Sequence, residues 1–110
     1  MALDIDRRHW LLALLDNYGE LLTDHQRETL NLHLARDWSY AEIADAQGVS
    51  RTAVYDLVHR SAAVLEDYEN KLGLLATQER RERDRRRLTS RLEGLQGELS
   101  RLRKTVKELT

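Results

Sequence analysis

The sequence predicts an all-α fold, and three features of the chain support this prediction. There is no proline among its 110 residues to interrupt a long helix. Clusters of β-branched and aromatic residues, which would mark the strands of a sheet, are missing. Apolar residues recur instead at spacings of three and four residues. We expect a helical domain over residues 1–75 and a separate C-terminal helix over residues 76–110.

Composition excludes several classes of protein. With 41% apolar and 34% charged residues, the chain has the composition of a small soluble domain. It has no cysteine, which excludes a disulfide scaffold. The apolar run near the N-terminus, Trp10 to Leu15, is too short for a signal peptide or a membrane span. We therefore expect a cytoplasmic protein without a membrane partner.

Charge divides the chain into two parts. Residues 1–78 contain 7 basic and 13 acidic side chains, a net charge of −6. Residues 79–110 contain 11 basic and 6 acidic side chains, a net charge of +5, and the basic residues are densest between Glu79 and Arg87. This division indicates two segments with different roles.

The first helix is predicted from its apolar spacing. We expect it to run from about Asp4 to Leu22, and to bend or end early at Gly19, because glycine inside a helix costs about 1 kcal/mol relative to alanine. Apolar residues at helical spacing line one face, which must be buried. They are Trp10, Leu11, Leu14, Leu15, Tyr18, Leu21 and Leu22.

A second helix is predicted from a capping signal. Thr23 and Gln26 have the spacing of a capping box, in which each side chain bonds to the other residue's backbone at a helix start. Leu30 and Leu34 form the inward stripe of this helix. The segment Arg36–Trp38 then connects it to the next element.

The most informative segment is residues 39–60, which has the pattern of a helix-turn-helix. Ser39 and Glu42 form a second capping box before a short helix, Tyr40 to Gln47. The motif requires an apolar and a small residue in its first helix, glycine at the turn, an apolar residue after it, and two apolar residues in its second helix. These requirements are met by Ile43, Ala44, Gly48, Val49, Val54 and Leu57.

The second helix of this motif is long, and its capping residue is Ser50. We expect the helix to end near Gly73 and to carry a stripe formed by Val54, Leu57, Val58, Leu65, Tyr68 and Leu72. An ordinary helical bundle is the alternative, since short capped helices joined by glycine occur there too.

A set of residues remains facing outward from the second helix and its N-terminus. Helix-turn-helix proteins place the early residues of this helix in the major groove, where phosphate contacts also favour the free amides at its start. The candidate DNA-binding residues are therefore Ser50, Arg51, Thr52, Tyr55, Asp56, His59 and Arg60. The net charge of −6 over residues 1–78 opposes phosphate binding, so geometry alone does not establish it.

The C-terminal segment has a heptad pattern typical of a coiled coil. Apolar residues alternate steps of four and three, with leucine at every d position, although Gly94 and Gly97 weaken the helix on its outer face. We predict a homodimer through this seam, with Glu98 of one helix facing Arg103 of a parallel partner. The seam residues are Leu88, Leu92, Leu95, Leu99, Leu102, Val106 and Leu109.

An arginine-rich stretch precedes the seam. In one interpretation Glu82 and Asp84 pair with neighbouring arginines and the stretch is simply a solvated helix. In the other it contacts the backbone of DNA or RNA, electrostatically and without base stacking, because it holds no aromatic residue. The candidate backbone-binding residues are Arg80, Arg81, Arg83, Arg85, Arg86 and Arg87.

We find no constellation that predicts catalysis, a metal or a cofactor. The histidines His9, His25, His33 and His59 are scattered, and His33 with Asp37 is the only pair with ligand-like spacing. The acidic run Glu66, Asp67 and Glu69 is interpreted as a solvated helix face. We therefore expect a non-enzymatic protein.

Residues 7–75 contain a series of short motifs, namely YGELLT at 18–23, QRE at 26–28, EIA at 42–44, SRTAVYD at 50–56 and EDYENKL at 66–72. In these motifs the segment resembles the YlxM family of bacterial helix-turn-helix proteins. One departure is Gln47, where related sequences tend to carry leucine or phenylalanine. The tail from Gln78 onward lies outside the resemblance.

The resemblance implies a fold similar to DNA-binding region four of sigma factors, and a link to the signal recognition particle. We accordingly expect a regulator that binds nucleic acid, with DNA favoured over RNA. The alternative is an adaptor of the signal recognition particle that uses the helix-turn-helix fold to dock a protein or RNA. The sign of the electrostatic potential over residues 50–60 would distinguish the two hypotheses.

Overall fold

The computed structural model describes residues 5–109, and this part of the chain is helical apart from short connections. Five α-helices follow one another, and the second is preceded by a single 3₁₀ turn at Gly19–Leu21. The helices are α1 (Ile5–Tyr18), α2 (Asp24–Leu34), α3 (Tyr40–Gln47), α4 (Arg51–Leu72) and α5 (Leu74–Leu109). The prediction of an all-α fold is confirmed. Asp4, the expected start of the first helix, lies outside the described residues.

Helix α1 ends early, immediately before Gly19, as the cost of glycine inside a helix predicts. It stops at Tyr18, and Leu21 lies in the 3₁₀ turn with 57% of its surface exposed. Trp10 is also exposed, because it lies about 90° around the helix from the centre of the buried stripe. The expectation that these two residues are buried is therefore wrong. The other residues of the predicted face are buried: Leu11, Leu14, Leu15, Tyr18 and Leu22.

The capping signals operate as predicted. The Thr23 hydroxyl accepts from the amide of Gln26 at 3.2 Å, and the Gln26 side chain accepts from the amide of Thr23 at 3.0 Å. Ser39 and Glu42 form the same reciprocal pair at the start of α3. Because these contacts satisfy amides that have no partner within the helix, they fix where α2 and α3 begin.

Two glycines end α3 and α4, the two helices of the predicted helix-turn-helix. Gly48 follows α3 with φ of 67°, and Gly73 follows α4 with φ of 63°. Residues with a Cβ rarely adopt this left-handed conformation, so glycine permits both turns.

Helix α4 packs against α1, α2 and α3, and its buried stripe forms the centre of the core. Val54 is buried as predicted, but Leu57 is only half-buried, and Val58 occupies the next core position. Val49, expected to pack after the turn, is 45% exposed, and Leu72 at the last position of α4 is also exposed. The buried stripe of α4 therefore runs through Val54, Val58, Ala62 and Leu65. Leu57 lies at the edge of this stripe.

A buried polar cluster fixes the start of α5. The Tyr18 hydroxyl donates to Glu69 Oε1 at 2.7 Å and accepts from the amide of Leu74 at 3.1 Å. The same carboxylate oxygen accepts from the amide of Leu75 at 3.0 Å. Burial, followed by the bond to Glu69, raises the pKa of Tyr18, so its hydroxyl stays a donor at neutral pH. The expectation that Glu69 lies on a solvated face is wrong, since only 8% of it is exposed.

The chain forms two compact units. Residues 1–75 contain the helix-turn-helix and the core described above. Residues 76–110 are a second unit, and its described part, residues 76–109, is one continuous stretch of helix.

Replacing Glu69 by alanine is expected to lower the free energy of unfolding by about 1 to 3 kcal/mol, because it leaves the Tyr18 hydroxyl and the Leu75 amide without an acceptor. Glu66→Ala is the matched control, one turn earlier on the same helix. Its ion pair with Arg7 lies at the surface and is worth less than about 1 kcal/mol. Urea unfolding curves measure both effects. Equal losses in the two variants would contradict the role assigned to Glu69.

Candidate nucleic-acid interface

The helix-turn-helix presents the start of α4 to solvent. The Ser50 hydroxyl accepts from the amide of Ala53 at 3.0 Å and so caps the helix. Helix geometry leaves the amides of Arg51 and Thr52 without an intrahelical acceptor. All of the candidate DNA-binding residues are exposed: Ser50, Arg51, Thr52, Tyr55, Asp56, His59 and Arg60.

These exposed residues cover one broad face of α4, and the two sides of that face line different concavities. On the first side, Arg51, Thr52 and Tyr55 meet the start of α3 and line a groove of about 440 Å³. We call it the α3–α4 groove. Its other lining residues are Ser39, Tyr40 and Ala41, so none of its lining residues is acidic.

On the second side, Asp56 and Arg60 line a concavity of about 330 Å³ that also includes His25 of α2. We call it the α2–α4 cleft. Gln47, Val49 and Leu57 contribute to its wall. The sequence pattern identified both groups as outward-facing but did not separate them.

Four aromatic rings form a continuous series beside the α3–α4 groove. The rings of Tyr55 and His59 are stacked with centroids 3.9 Å apart, and Tyr55 meets the ring of Tyr40 edge-on at 5.5 Å. Tyr40 is in turn stacked on His33 at 4.6 Å. We call these four residues the aromatic ladder. Burial, with a smaller contribution from Tyr55, raises the pKa of Tyr40, so the phenol remains neutral.

Hydrogen bonds orient both histidines of the aromatic ladder. Nδ1 of His33 is 2.8 Å from the carbonyl oxygen of Trp38, and Nδ1 of His59 is 2.8 Å from that of Tyr55. Because a carbonyl oxygen can only accept, each Nδ1 carries a proton. Sequence analysis missed Tyr40 and His33 as members of this surface. Only Tyr55 and His59, four apart on one helix, could have been paired from sequence.

The weak metal candidate, His33 with Asp37, is occupied by other contacts. The His33 ring bonds to Trp38, and the carboxylate of Asp37 accepts from Arg8 at 2.8 Å. The Arg8 guanidinium also bonds to the carbonyl oxygens of His33 and Leu34 at the end of α2. Within residues 5–109, no group of three or more potential ligands is placed to hold a metal ion.

Gln47 leaves a buried polar atom without a partner. Its side-chain amide donates to the Thr29 hydroxyl at 3.0 Å, but its Oε1 is buried and makes no hydrogen bond in the described chain. An unsatisfied buried acceptor costs stability, so this oxygen makes glutamine an unfavourable residue at this position.

The arginine-rich stretch combines paired and unpaired cations. Glu82 pairs with Arg85 and Arg86, and Asp84 pairs with Arg87. The hydrogen bond from Arg85 is the largest of the effects that lower the pKa of Glu82. Within residues 5–109 no ion pair involves Arg80, Arg81 or Arg83. The local pairing expected from the sequence thus neutralises only part of the stretch.

The heptad residues form a solvent-exposed apolar seam along α5. Their exposed fractions range from 49% at Leu99 to 82% at Leu109. So long an apolar stripe is unusual on a surface that has no binding partner. The described helices include none that is long and apolar enough to cross a membrane.

A family model described as "Putative helix-turn-helix protein, YlxM / p13 like" matches residues 5–108. The chain belongs to this family. The match includes the tail, which the resemblance seen in the sequence had left out. The family is that of the UPF0122 proteins, and its helix-turn-helix description agrees with the α3–turn–α4 geometry.

Bacterial relatives support the assignment. A UPF0122 protein of Symbiobacterium thermophilum is 49% identical over 71 residues, which cover 64% of this chain and 66% of the relative. One of Exiguobacterium sibiricum is 47% identical and covers 70% and 73%, and one of Streptococcus gordonii is 47% identical and covers 66% of each. The chain therefore spans about two thirds of the length of the relatives it matches.

The double variant Gln47→Leu with Thr29→Val is expected to raise the free energy of unfolding by about 1 kcal/mol, because it removes the unsatisfied Oε1 of Gln47 together with both members of the buried hydrogen bond. Thr29→Val alone is the control and is expected to destabilise the protein, because it leaves the Gln47 amide without its partner. Thermal unfolding of the single and double variants measures these changes. A double variant less stable than the natural chain would contradict this account of the turn.

Proposed function

We propose that the protein is a non-enzymatic regulator that binds nucleic acid, with DNA favoured over RNA, through the exposed residues at the start of α4. The observation that carries this proposal is the helix-turn-helix itself, whose second helix begins with a capped, exposed turn. The description of the family as helix-turn-helix gives the same direction. The similarity to region four of sigma factors that the sequence resemblance implies also favours this function. Its proposed site of action is the cytoplasm, where bacterial nucleic acid is found.

The roles of the residues follow from their positions. Arg51 and Thr52, beside the free amides of the first turn, are placed for contacts with phosphates and base edges. Ser50 fixes the helix start, and Tyr55 and His59 extend the surface along the α3–α4 groove. Asp56 and Arg60 lie on the α2–α4 cleft side and would contact the other wall of a DNA groove.

The tail is proposed to dimerise the protein and to add electrostatic attraction. Pairing two copies of the seam would cover leucines that are otherwise exposed. It would also hold two helix-turn-helix units on one DNA molecule, which raises the affinity of each by proximity. Arg80, Arg81 and Arg83 then offer charge to the DNA backbone.

A second candidate function is an adaptor of the signal recognition particle. The net charge of −6 over residues 1–78 favours this role, because an acidic domain repels phosphate but can dock a basic protein surface. Under this alternative the helix-turn-helix fold is retained, and the α3–α4 groove and the α2–α4 cleft contact a protein or an RNA of the particle.

Arg51→Ala is expected to weaken binding to a DNA site, selected from a random pool at physiological salt, by about tenfold, because each good base contact is worth about 1 to 3 kcal/mol. Arg27→Ala is the matched control, since it removes the same charge from α2, where Arg27 pairs with Asp24. Fluorescence anisotropy measures both affinities. If both variants bind as tightly as the natural chain, the contact surface lies elsewhere. If no DNA or RNA is selected and the particle's GTPase binds instead, the adaptor function replaces the regulator.

Leu95→Asp combined with Leu102→Asp is expected to convert the dimer into a monomer, because it places charges inside the paired seam. Ser90→Asp combined with Ser100→Asp adds the same charge outside the seam and should leave the dimer intact. Light scattering at tens of micromolar protein distinguishes the two states. A natural chain that is monomeric under these conditions, or a dimer that survives both leucine substitutions, would disprove the proposed dimer.

A further inference from the structure

We propose that the α3–α4 groove and its aromatic ladder hold an unpaired nucleobase, so that the preferred ligand is nucleic acid with at least one base outside a double helix. The inference rests on the proposed nucleic-acid function and names the class of ligand that the same surface takes. It is drawn from the geometry of the aromatic ladder. Contacts with the edges of paired bases do not explain this series of rings.

The rings at the rim of the groove are exposed and flat. Tyr55 is 46% exposed, and the stacked pair of Tyr55 and His59 extends along the solvent side of α4. A nucleobase that stacks on such a pair gains roughly ten- to hundredfold in affinity. Stacking does not depend on the net charge of the protein, so the acidic character of residues 1–78 opposes it less than it opposes phosphate binding.

The aromatic ladder is already ordered before any ligand arrives. Tyr40 is held between the rings of His33 and Tyr55, and it is half-buried. His33 is fixed by its bond to the Trp38 carbonyl, and His59 by its bond to the Tyr55 carbonyl. A ligand that stacks there loses little side-chain freedom on binding, which favours affinity.

Charge around the groove favours a nucleotide as its occupant. The lining residues include Arg51 and Thr52 and none that is acidic, whereas the α2–α4 cleft on the other side contains Asp56. The Arg51 guanidinium is thus available to the phosphate attached to a base bound in the groove. A proline-rich peptide also binds aromatic grooves, but it gives this cation no negative partner.

Double-stranded DNA uses this surface poorly. In a B-form helix the faces of the bases are stacked on one another, and only their edges are accessible from the grooves. The rings of the aromatic ladder therefore find no free base face in a fully paired duplex. A bulge, a loop, a melted segment or a single strand exposes such a face.

The test uses the full chain and three matched DNA oligonucleotides, namely a paired duplex, the same duplex with one bulged 2-aminopurine, and the 2-aminopurine strand alone. An RNA copy of the single strand distinguishes the two sources of an unpaired base. We expect the bulged duplex and the single strands to bind at least about tenfold more tightly than the paired duplex. We also expect the fluorescence of 2-aminopurine to be quenched on binding, which reports stacking directly.

Tyr55→Leu with His59→Leu is expected to remove both this preference and the quenching, so that the bulged and the paired duplex then bind with equal affinity. Tyr55→Phe retains an aromatic face and should restore most of the quenching. Trp10→Leu, which removes an exposed ring from α1, is the control outside the groove. Circular dichroism establishes that each variant is folded.

The outcomes separate this inference from the proposed function. Equal binding of the paired and bulged duplexes without quenching would overturn the inference and leave the proposed function standing. Binding of none of the oligonucleotides would overturn both. A proline-rich peptide that binds with Tyr55-dependent affinity, where the oligonucleotides do not, would assign the groove to a peptide and overturn the inference.

Discussion

The packing of one helix, α4, is the constraint on which the rest of the structure depends. Its buried stripe is held against α1, α2 and α3 and fixes how the helix is rotated. That rotation decides which residues of α4 face outward, because the side of the helix away from the buried stripe is the exposed side. At its far end the same helix supplies Glu69, whose carboxylate accepts from the amide of Leu75 in the first turn of α5. Core, exposed surface and the start of the tail helix are thus determined by a single element.

Much of this arrangement could be predicted from the sequence, because its signals are local. Capping boxes at Thr23 and Ser39 and the turn at Gly48 depend on residues only a few positions apart, and all three occur as expected. Apolar spacing was less reliable at the ends of elements, as Trp10 and Leu21 illustrate. Glu69 was misassigned because its partners, Tyr18 and Leu75, are distant or outside its own helix. The neighbouring sequence of a charged residue in a polar segment does not show that the residue is buried.

The candidate surface was predicted less completely than the fold, for a related reason. Outward-facing residues of α4 follow from its periodicity, but the neighbours that they meet across the turn do not. The sequence predicted Tyr40 only as the first residue of a helix and His33 as one of four scattered histidines. Only the tertiary structure places Tyr40 against Tyr55 and His33 against Tyr40. The same tertiary contacts divide the surface into the α3–α4 groove and the α2–α4 cleft. Periodicity along one helix contains no information about such a division.

The local origin of the caps also has a kinetic consequence. Contacts between residues close in sequence form quickly, since little loop entropy is lost in making them, and helical domains rich in such contacts fold within milliseconds. Two copies of the seam meet only by diffusion, at a rate that depends on their concentration. The first unit is therefore expected to reach its final form before two seams pair. The proposed dimer would then assemble from units that are already folded, so that its formation depends on protein concentration and not on the folding of the domain.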